Sequence, residues 1–341
     1  MWTIVGCDER YQLHPMMKAA GIHLNSVFIL CTIYRFLKKS NTIPLLQNDY
    51  ICNNLRCMKE SKIGLVLEGG AMRGLFSVGV MDVLMEQGIS FDGAIGVSAG
   101  AAFGCNYKSG QRGRAIRYNK RFAGDKRYCS ISSLLKTGNL YNTEFCYDTI
   151  PNELDVFDYK AYQENPMEFW VVASDVHTGT AVYKKLKSCS KTDFEWMRAS
   201  ASMPLASKIV KVDGFELLDG GMTDSIPLKK FQGLGYEKNI VILTQPKGFT
   251  KQKNGLQWLM RIALHKYPAL VSAMAQRHIM YNKETEYVFE QEKRGNVLVL
   301  SPETALGIRR TEHNPEELQR VYDLGRAVAL QNLPRIKSFM E

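Results

Sequence analysis

Three short stretches hold residues whose type and spacing allow acyl-transfer chemistry. In Gly96-Val97-Ser98-Ala99-Gly100 a serine stands between two glycines at the end of an apolar run. This G-x-S-x-G pattern lifts a hydroxyl on a sharp strand-to-helix turn, with glycines where backbones must pass closely. With 20 serines and 27 glycines in 341 residues, about one shuffled chain in eight would carry it. Ser98 is therefore a nucleophile only if its surroundings agree. Upstream lies "GGAMRG", residues 69–74. If it opens a helix, the free N–H groups of Gly69, Gly70 and Ala71 point outward, as a developing oxyanion requires; the plain alternative is a tight glycine-rich turn. The loop fits neither G-x-G-x-x-G nor G-x-x-x-x-G-K-[ST], which argues against nucleotide binding. A serine also needs a base. Asp219 ends a strand-like run, and Gly220 and Gly221 let its backbone approach a crowded site, although Asp-Gly-Gly alone is more often a turn.

The elements that must position these residues follow from hydrophobic patterning. "KIGLVLE" (62–68) is a continuous apolar run of strand length, which suits a strand buried on both faces. "LFSVGVMDVLMEQ" is apolar almost all round and stops at Gly88, so it reads as a buried helix with Gly88 at C′. "FDGAIGV" (91–97) is the next strand, and the two strands with their helix form a right-handed βαβ unit. Neighbouring parallel strands end on one edge, so the 69–74 loop lies next to Ser98. Further strands are expected at 169–174, 239–244 and 296–301, and Asp213-Gly214 marks a hairpin. Asn314 caps a closing helix with Pro315 at N1. Residues 245–256 are the best linker between a catalytic sheet and a mostly helical C-terminal region.

In this order, "GGAMRG", "GVSAG" and "DGG" make the chain resemble the patatin-like phospholipases, with further likeness in "ASDVHTG" (173–179) and "ASASMP" (199–204). The resemblance covers about residues 62–232 and points to bacterial members with a helical extension. It implies a three-layer α/β/α fold with a mainly parallel sheet, plus a mostly helical region at 245–341. It implies a Ser98–Asp219 dyad hydrolysing lipid acyl esters, of the phospholipase A or lysophospholipase kind, in lipid catabolism. The amides of Gly69, Gly70 and Ala71 hold the oxyanion, Gly96, Gly100, Gly220 and Gly221 shape the turns, and no metal or cofactor is needed. Arg73 either anchors the loop, the favoured reading, or attracts an anionic head group. Ala71 replaces the family's third glycine: its N–H remains, but a left-handed backbone there would make alanine costly. Met72, Leu75 and Phe76 suit an acyl chain or the core. The competing class is a lipid-binding or regulatory protein on the same fold. An ordinary hydrolase triad would recruit His265, His278 or His313, yet none sits among small turn residues, and His177, the best placed, precedes Asp219.

The whole chain narrows the setting. With 45% hydrophobic and 23% charged residues it is globular, and its net charge of +10 suits anionic surfaces. No zinc-finger spacing, basic zipper or RNP-type run supports nucleic acid as a partner. Seven basic residues (Arg112, Arg114, Arg117, Lys120, Arg121, Lys126, Arg127) crowd 112–128; a solvated helix face is the favoured reading over a patch for anionic membrane. Residues 1–57 form an atypical leader holding four of the eight cysteines. Their 16-residue uncharged stretch between Lys18 and Arg35 is short for a span and lacks a cleavage site. Met58 as the working start is the leading expectation, and a membrane tether the second. Eight cysteines without a framework fit a reducing interior, so the expected location is cytoplasmic with peripheral membrane contact.

Overall fold

The structure, a computed structural model, describes residues 62–341; the expectations for residues 1–57 lie outside the described residues. In chain order the strands are β1 (Ile63–Leu67), β2 (Gly93–Val97), β3 (Glu168–Asp175), β4 (Ala181–Leu186), β5 (Val210–Val212), β6 (Phe215–Asp219), β7 (Lys238–Ile242) and β8 (Val297–Leu300). The α-helices are α1 (Gly74–Glu86), α2 (Ala99–Lys108), α3 (Arg114–Phe122), α4 (Ile131–Thr137), α5 (Tyr159–Glu164), α6 (Lys191–Ser200), α7 (Leu228–Gly233), α8 (Gln257–Ala263), α9 (Pro268–Lys293), α10 (Pro315–Gln331) and α11 (Leu333–Met340). All strands join one sheet in the order β5-β6-β3-β2-β1-β7-β8, with β4 also on β3. The run from β3 through β8 is parallel, whereas β4, β5 and β6 pair antiparallel.

Alternation along β1 makes the layers. Leu65 and Leu67 are fully buried in a core shared with α1, α2, α6 and α10, while Val66 points into a second core with α7 and α9. Apolar residues on both faces are what a central parallel strand requires. This is the expected three-layer α/β/α architecture. Asp213 and Gly214 take positive φ of 48° and 80° in the hairpin between β5 and β6, as a two-residue turn with that twist demands. Asn314 caps α10 by accepting from the Glu316 N–H at 2.9 Å. Beyond residues 245–256, β8 returns to the sheet beside β7, and α10 packs on α1.

Of the seven basic residues, Arg112, Arg117, Arg121, Lys126 and Arg127 are exposed and Lys120 is half-buried, as a solvated helix face and loop would have them; Arg114 is the exception. Arg114 is buried, donating to the Asp155 carbonyl at 2.6 Å, and Arg117 forms a two-pronged ion pair with the Asp155 carboxylate at 2.7 Å. Lys120, Arg121 and Arg127 also have intramolecular acceptors. Asp155, nearly 40 residues on, thus pairs with two of the seven, Arg114 and Arg117. No helix among the described residues is long and apolar enough to cross a membrane.

Candidate active site

Ser98 occupies the turn between β2 and α2 with φ 55° and ψ −119°, a conformation that L-residues seldom adopt. The glycines around it are sterically required. A Cβ on Gly96 would meet the Gly100 carbonyl oxygen at 2.4 Å, and one on Gly100 would meet the Leu67 carbonyl oxygen at 2.4 Å. Ser98 N–H donates to Ser200 Oγ at 2.9 Å, which pins the strained turn to the end of α6.

The parallel pairing of β1 and β2 brings the glycine-rich loop alongside: a Cβ on Gly69 would stand 2.8 Å from Ser98 Cβ. The Gly69 carbonyl accepts from Thr244 Oγ1 at 2.9 Å, tying the loop to the end of β7. Among the described residues the N–H groups of Gly69, Gly70 and Ala71 have no intramolecular acceptor, so they remain free donors at the start of the helical turn. Ala71 has φ 51°, so the left-handed requirement feared from the sequence is present, and the chain bears its cost at this position. The Arg73 side chain lines the cleft, and its buried Nε has no hydrogen-bond partner among the described residues.

Asp219 arrives from the other side of β3. Val97 pairs with Val172 in parallel, and Asp219 pairs with Ala173 in antiparallel register, which carries Asp219 to the level of Ser98. Gly220 then crosses so close to β3 that a Cβ would lie 2.1 Å from the Val172 carbonyl oxygen. Asp219 is buried and accepts from the Gly221 N–H at 2.8 Å. Desolvation raises its pKa. The neighbouring Ser98 hydroxyl, the Arg277 guanidinium and the Gly221 N–H work the other way.

Two cavities meet at Ser98 and Ala71. One, about 1110 Å³ with its mouth included, is walled by Met72, Phe103, Tyr118, Tyr147, Ile150 and Met197. Leu75 and Phe76, read as acyl-chain or core residues, lie fully buried in the core instead. The other, about 1230 Å³, is a polar cleft that reaches Asp219, Glu68 and Tyr281. Glu68 is buried, accepting from Thr244 N–H at 2.6 Å and from Tyr281 Oη at 2.8 Å; burial raises its pKa. His177, His265, His278 and His313 line neither cavity. His177 instead pairs with Glu216 at 2.9 Å.

The motif reading missed the contribution of α9. Arg277, Tyr281 and Glu284 share one face of that helix: Arg277 donates to the Gly221 carbonyl, Tyr281 to Glu68, and Glu284 accepts from the Ser225 and Ile226 N–H groups at 3.1 Å. Their spacing of four and three residues is a helical stripe that the sequence displays, but nothing local says what it faces.

Residues 65–231 match the family model described as Patatin-like phospholipase, and residues 267–341 match a domain of unknown function, DUF6363. The protein YjjU of Escherichia coli (strain K12), described as uncharacterized, is 25% identical over 307 residues, covering 83% of this chain and 80% of its own length. The lysophospholipase NTE1 of Kluyveromyces lactis is 29% identical over 205 residues, 57% of this chain, and the match spans 13% of that much longer protein. The crystal structure of VipD from Legionella pneumophila is a loose likeness, at 13% identity and a TM-score of 0.40, covering 81% of this chain and 67% of that one. Residues 65–231 of this chain thus form a patatin-like phospholipase domain.

Proposed function

We propose that this protein is a serine acyl hydrolase of lipid esters, in which Ser98 is the nucleophile and Asp219 the general base. The observation that carries the reading is the meeting at Ser98 of a strained turn, a buried carboxylate, three free amides and an apolar cavity. Ser98 Oγ attacks the ester carbonyl while its proton passes to Asp219, and the amides of Gly69, Gly70 and Ala71 receive the oxyanion. Collapse breaks the ester C–O bond, and Asp219 returns the proton to the departing alcohol. Water, deprotonated by Asp219, then attacks the acyl-serine; the acyl C–Oγ bond breaks, Asp219 returns that proton to Ser98 Oγ, and the fatty acid leaves. A carboxylate at its ordinary pKa of about 4 is a weak base; desolvation makes Asp219 a stronger one. The apolar cavity suits the acyl chain, and a cytoplasmic enzyme touching lipid surfaces peripherally fits such a substrate.

A fluorophosphonate probe and release of fatty acid from a lysophospholipid test the assignment together. Wild type is expected to label and turn over, and Ser98→Ala to do neither while keeping its circular dichroism. Activity of Ser98→Ala within about tenfold of wild type would overturn it, because loss of a nucleophile costs several orders of magnitude.

A further inference from the structure

Four basic side chains from separate segments converge on the polar cleft: Arg73 after the glycine-rich loop, Lys251 beyond β7, Arg277 on α9 and Arg310 in the loop before α10. Among the described residues none of the four forms a salt bridge, whereas Arg117, Lys185 and Arg326 elsewhere each pair with a carboxylate. Among the described residues the cleft holds two carboxylates, and both accept hydrogen bonds. Glu68 is bonded to Thr244 and Tyr281, and Asp219 to Gly221. The cations feel one another across the space between them. Burial lowers the Lys251 pKa to about 8; Arg277, Arg73 and Arg310 add to the effect, and Glu68 works against it. Burial lowers the Arg73 pKa first, the nearby Glu68 carboxylate opposes this, and Arg310 and Arg277 add to the lowering. Its Nε is a buried donor with no acceptor, a costly state that an incoming anion would relieve.

We infer that this cluster is a subsite for the phosphate of the substrate's head group, selecting lysophospholipids whose head groups carry net negative charge. The inference rests on the reading of Ser98 as nucleophile, since Ser98 lines both cavities and so sets the ester between an acyl chain and an anion. Guanidinium groups match the oxygens of a phosphate ester in charge and fork geometry. A quaternary ammonium group would need a free aromatic face. Among the described residues the one aromatic ring lining the cleft, Tyr281, is already covered by Lys251 Nζ at 4.0 Å from its centroid. Three of the four cations lie beyond residue 245, so the C-terminal region supplies most of this subsite and Arg73 of the motif-bearing segment completes it.

The test compares kcat/KM for lysophosphatidylglycerol with that for monoacylglycerol of the same chain, in wild type and in the double variant Arg310→Gln/Lys251→Gln. Wild type is expected to favour the anionic lipid, and the double variant to lower that preference at least about tenfold, mainly through KM, as loss of charged hydrogen bonds implies. A preference that stays within about twofold of wild type would overturn the inference. So would faster hydrolysis of the acyl-coenzyme A of the same chain, whose phosphates sit on a longer arm. Calorimetric binding of the non-hydrolysable alkyl-ether lysophosphatidylglycerol separates the two claims. If Ser98→Ala stays active while the double variant binds the ether analogue at least about tenfold more weakly, the nucleophile assignment fails and the subsite stands; undiminished binding removes the subsite whatever Ser98 does.

Discussion

At the scale of single residues, the site turns on which group takes the Ser98 proton. Asp219 is buried beside the serine, whereas each candidate histidine is engaged elsewhere or turned away from both cavities: His177 on Glu216, His265 on the Ile262 carbonyl, and His313 on the Ala123 carbonyl at 2.6 Å. Asp219→Asn is therefore expected to lower esterase activity at least about a hundredfold, the ordinary cost of losing a general base. Single alanine changes at His177, His265, His278 and His313 should each leave most of it. Initial rates on an uncharged p-nitrophenyl ester decide the matter, and a histidine variant as inactive as Asp219→Asn would move the protein to the triad class. As the proposed base, the same carboxylate would set an acid limb: only its charged form accepts a proton, and desolvation raises its pKa. Activity should accordingly fade on acidification at a pH above the usual carboxylate range.

At the scale of elements, α9 secures the loop that carries Asp219. Glu284 accepts from Ser225 and Ile226 N–H groups and faces Asp224, whose other contact is the Tyr183 hydroxyl at 2.6 Å. Burial first, and the neighbouring Asp224 charge second, push the Glu284 pKa well above its ordinary 4.5. The folded protein therefore holds a proton that the unfolded chain releases above about pH 4.5, so stability is fully present below that value and falls as pH rises toward the folded-state pKa. Glutamine keeps the acceptor oxygen and has no proton to lose. The melting temperature of wild type relative to Glu284→Gln should thus drop by at least about 3 °C between pH 6 and pH 9, equivalent to ~1 kcal/mol for a domain of this size. A difference that stays flat with pH in scanning calorimetry would exclude the shared proton.

Across the whole molecule, the C-terminal region is bound to the motif-bearing sheet through backbone contact. Added Cβ atoms on Gly79 of α1 and Gly325 of α10 would each lie 2.0 Å from a carbonyl oxygen of the facing helix, those of Tyr322 and Phe76. Around this crossing Tyr322 donates to Asp82 at 2.8 Å and Arg326 pairs with Glu86. Gly325→Ala must push the helices apart and should cost about 1–3 kcal/mol or more, since overpacked interiors do not yield freely. Arg326→Gln breaks a partly exposed pair and should cost less than about 1 kcal/mol. Urea unfolding distinguishes these outcomes, and equal losses would show that charge rather than backbone proximity holds the helices together.

What the sequence determined by itself was local. Apolar runs at 62–68 and 91–97, the helix between them ending before Gly88, the Asp213-Gly214 turn and the Asn314 cap depend on neighbours a few residues away, and each formed where its pattern lay. The order of the glycine-rich loop, Ser98 and Asp219 was likewise legible, because a βαβ unit leaves one edge for its loops. Tertiary structure alone decided the rest. β4, "AVYKKL", shows no clean alternation and became a strand by pairing with β3. Arg114 looked solvated until Asp155 was beside it. Ala71 could have been cheap or costly, and only its left-handed backbone settled which. The convergence of Arg73, Lys251, Arg277 and Arg310 joins residues up to 237 positions apart, from 73 to 310. Desolvation and charge proximity are properties of surroundings, and the chain acquires them only when distant segments fold against one another.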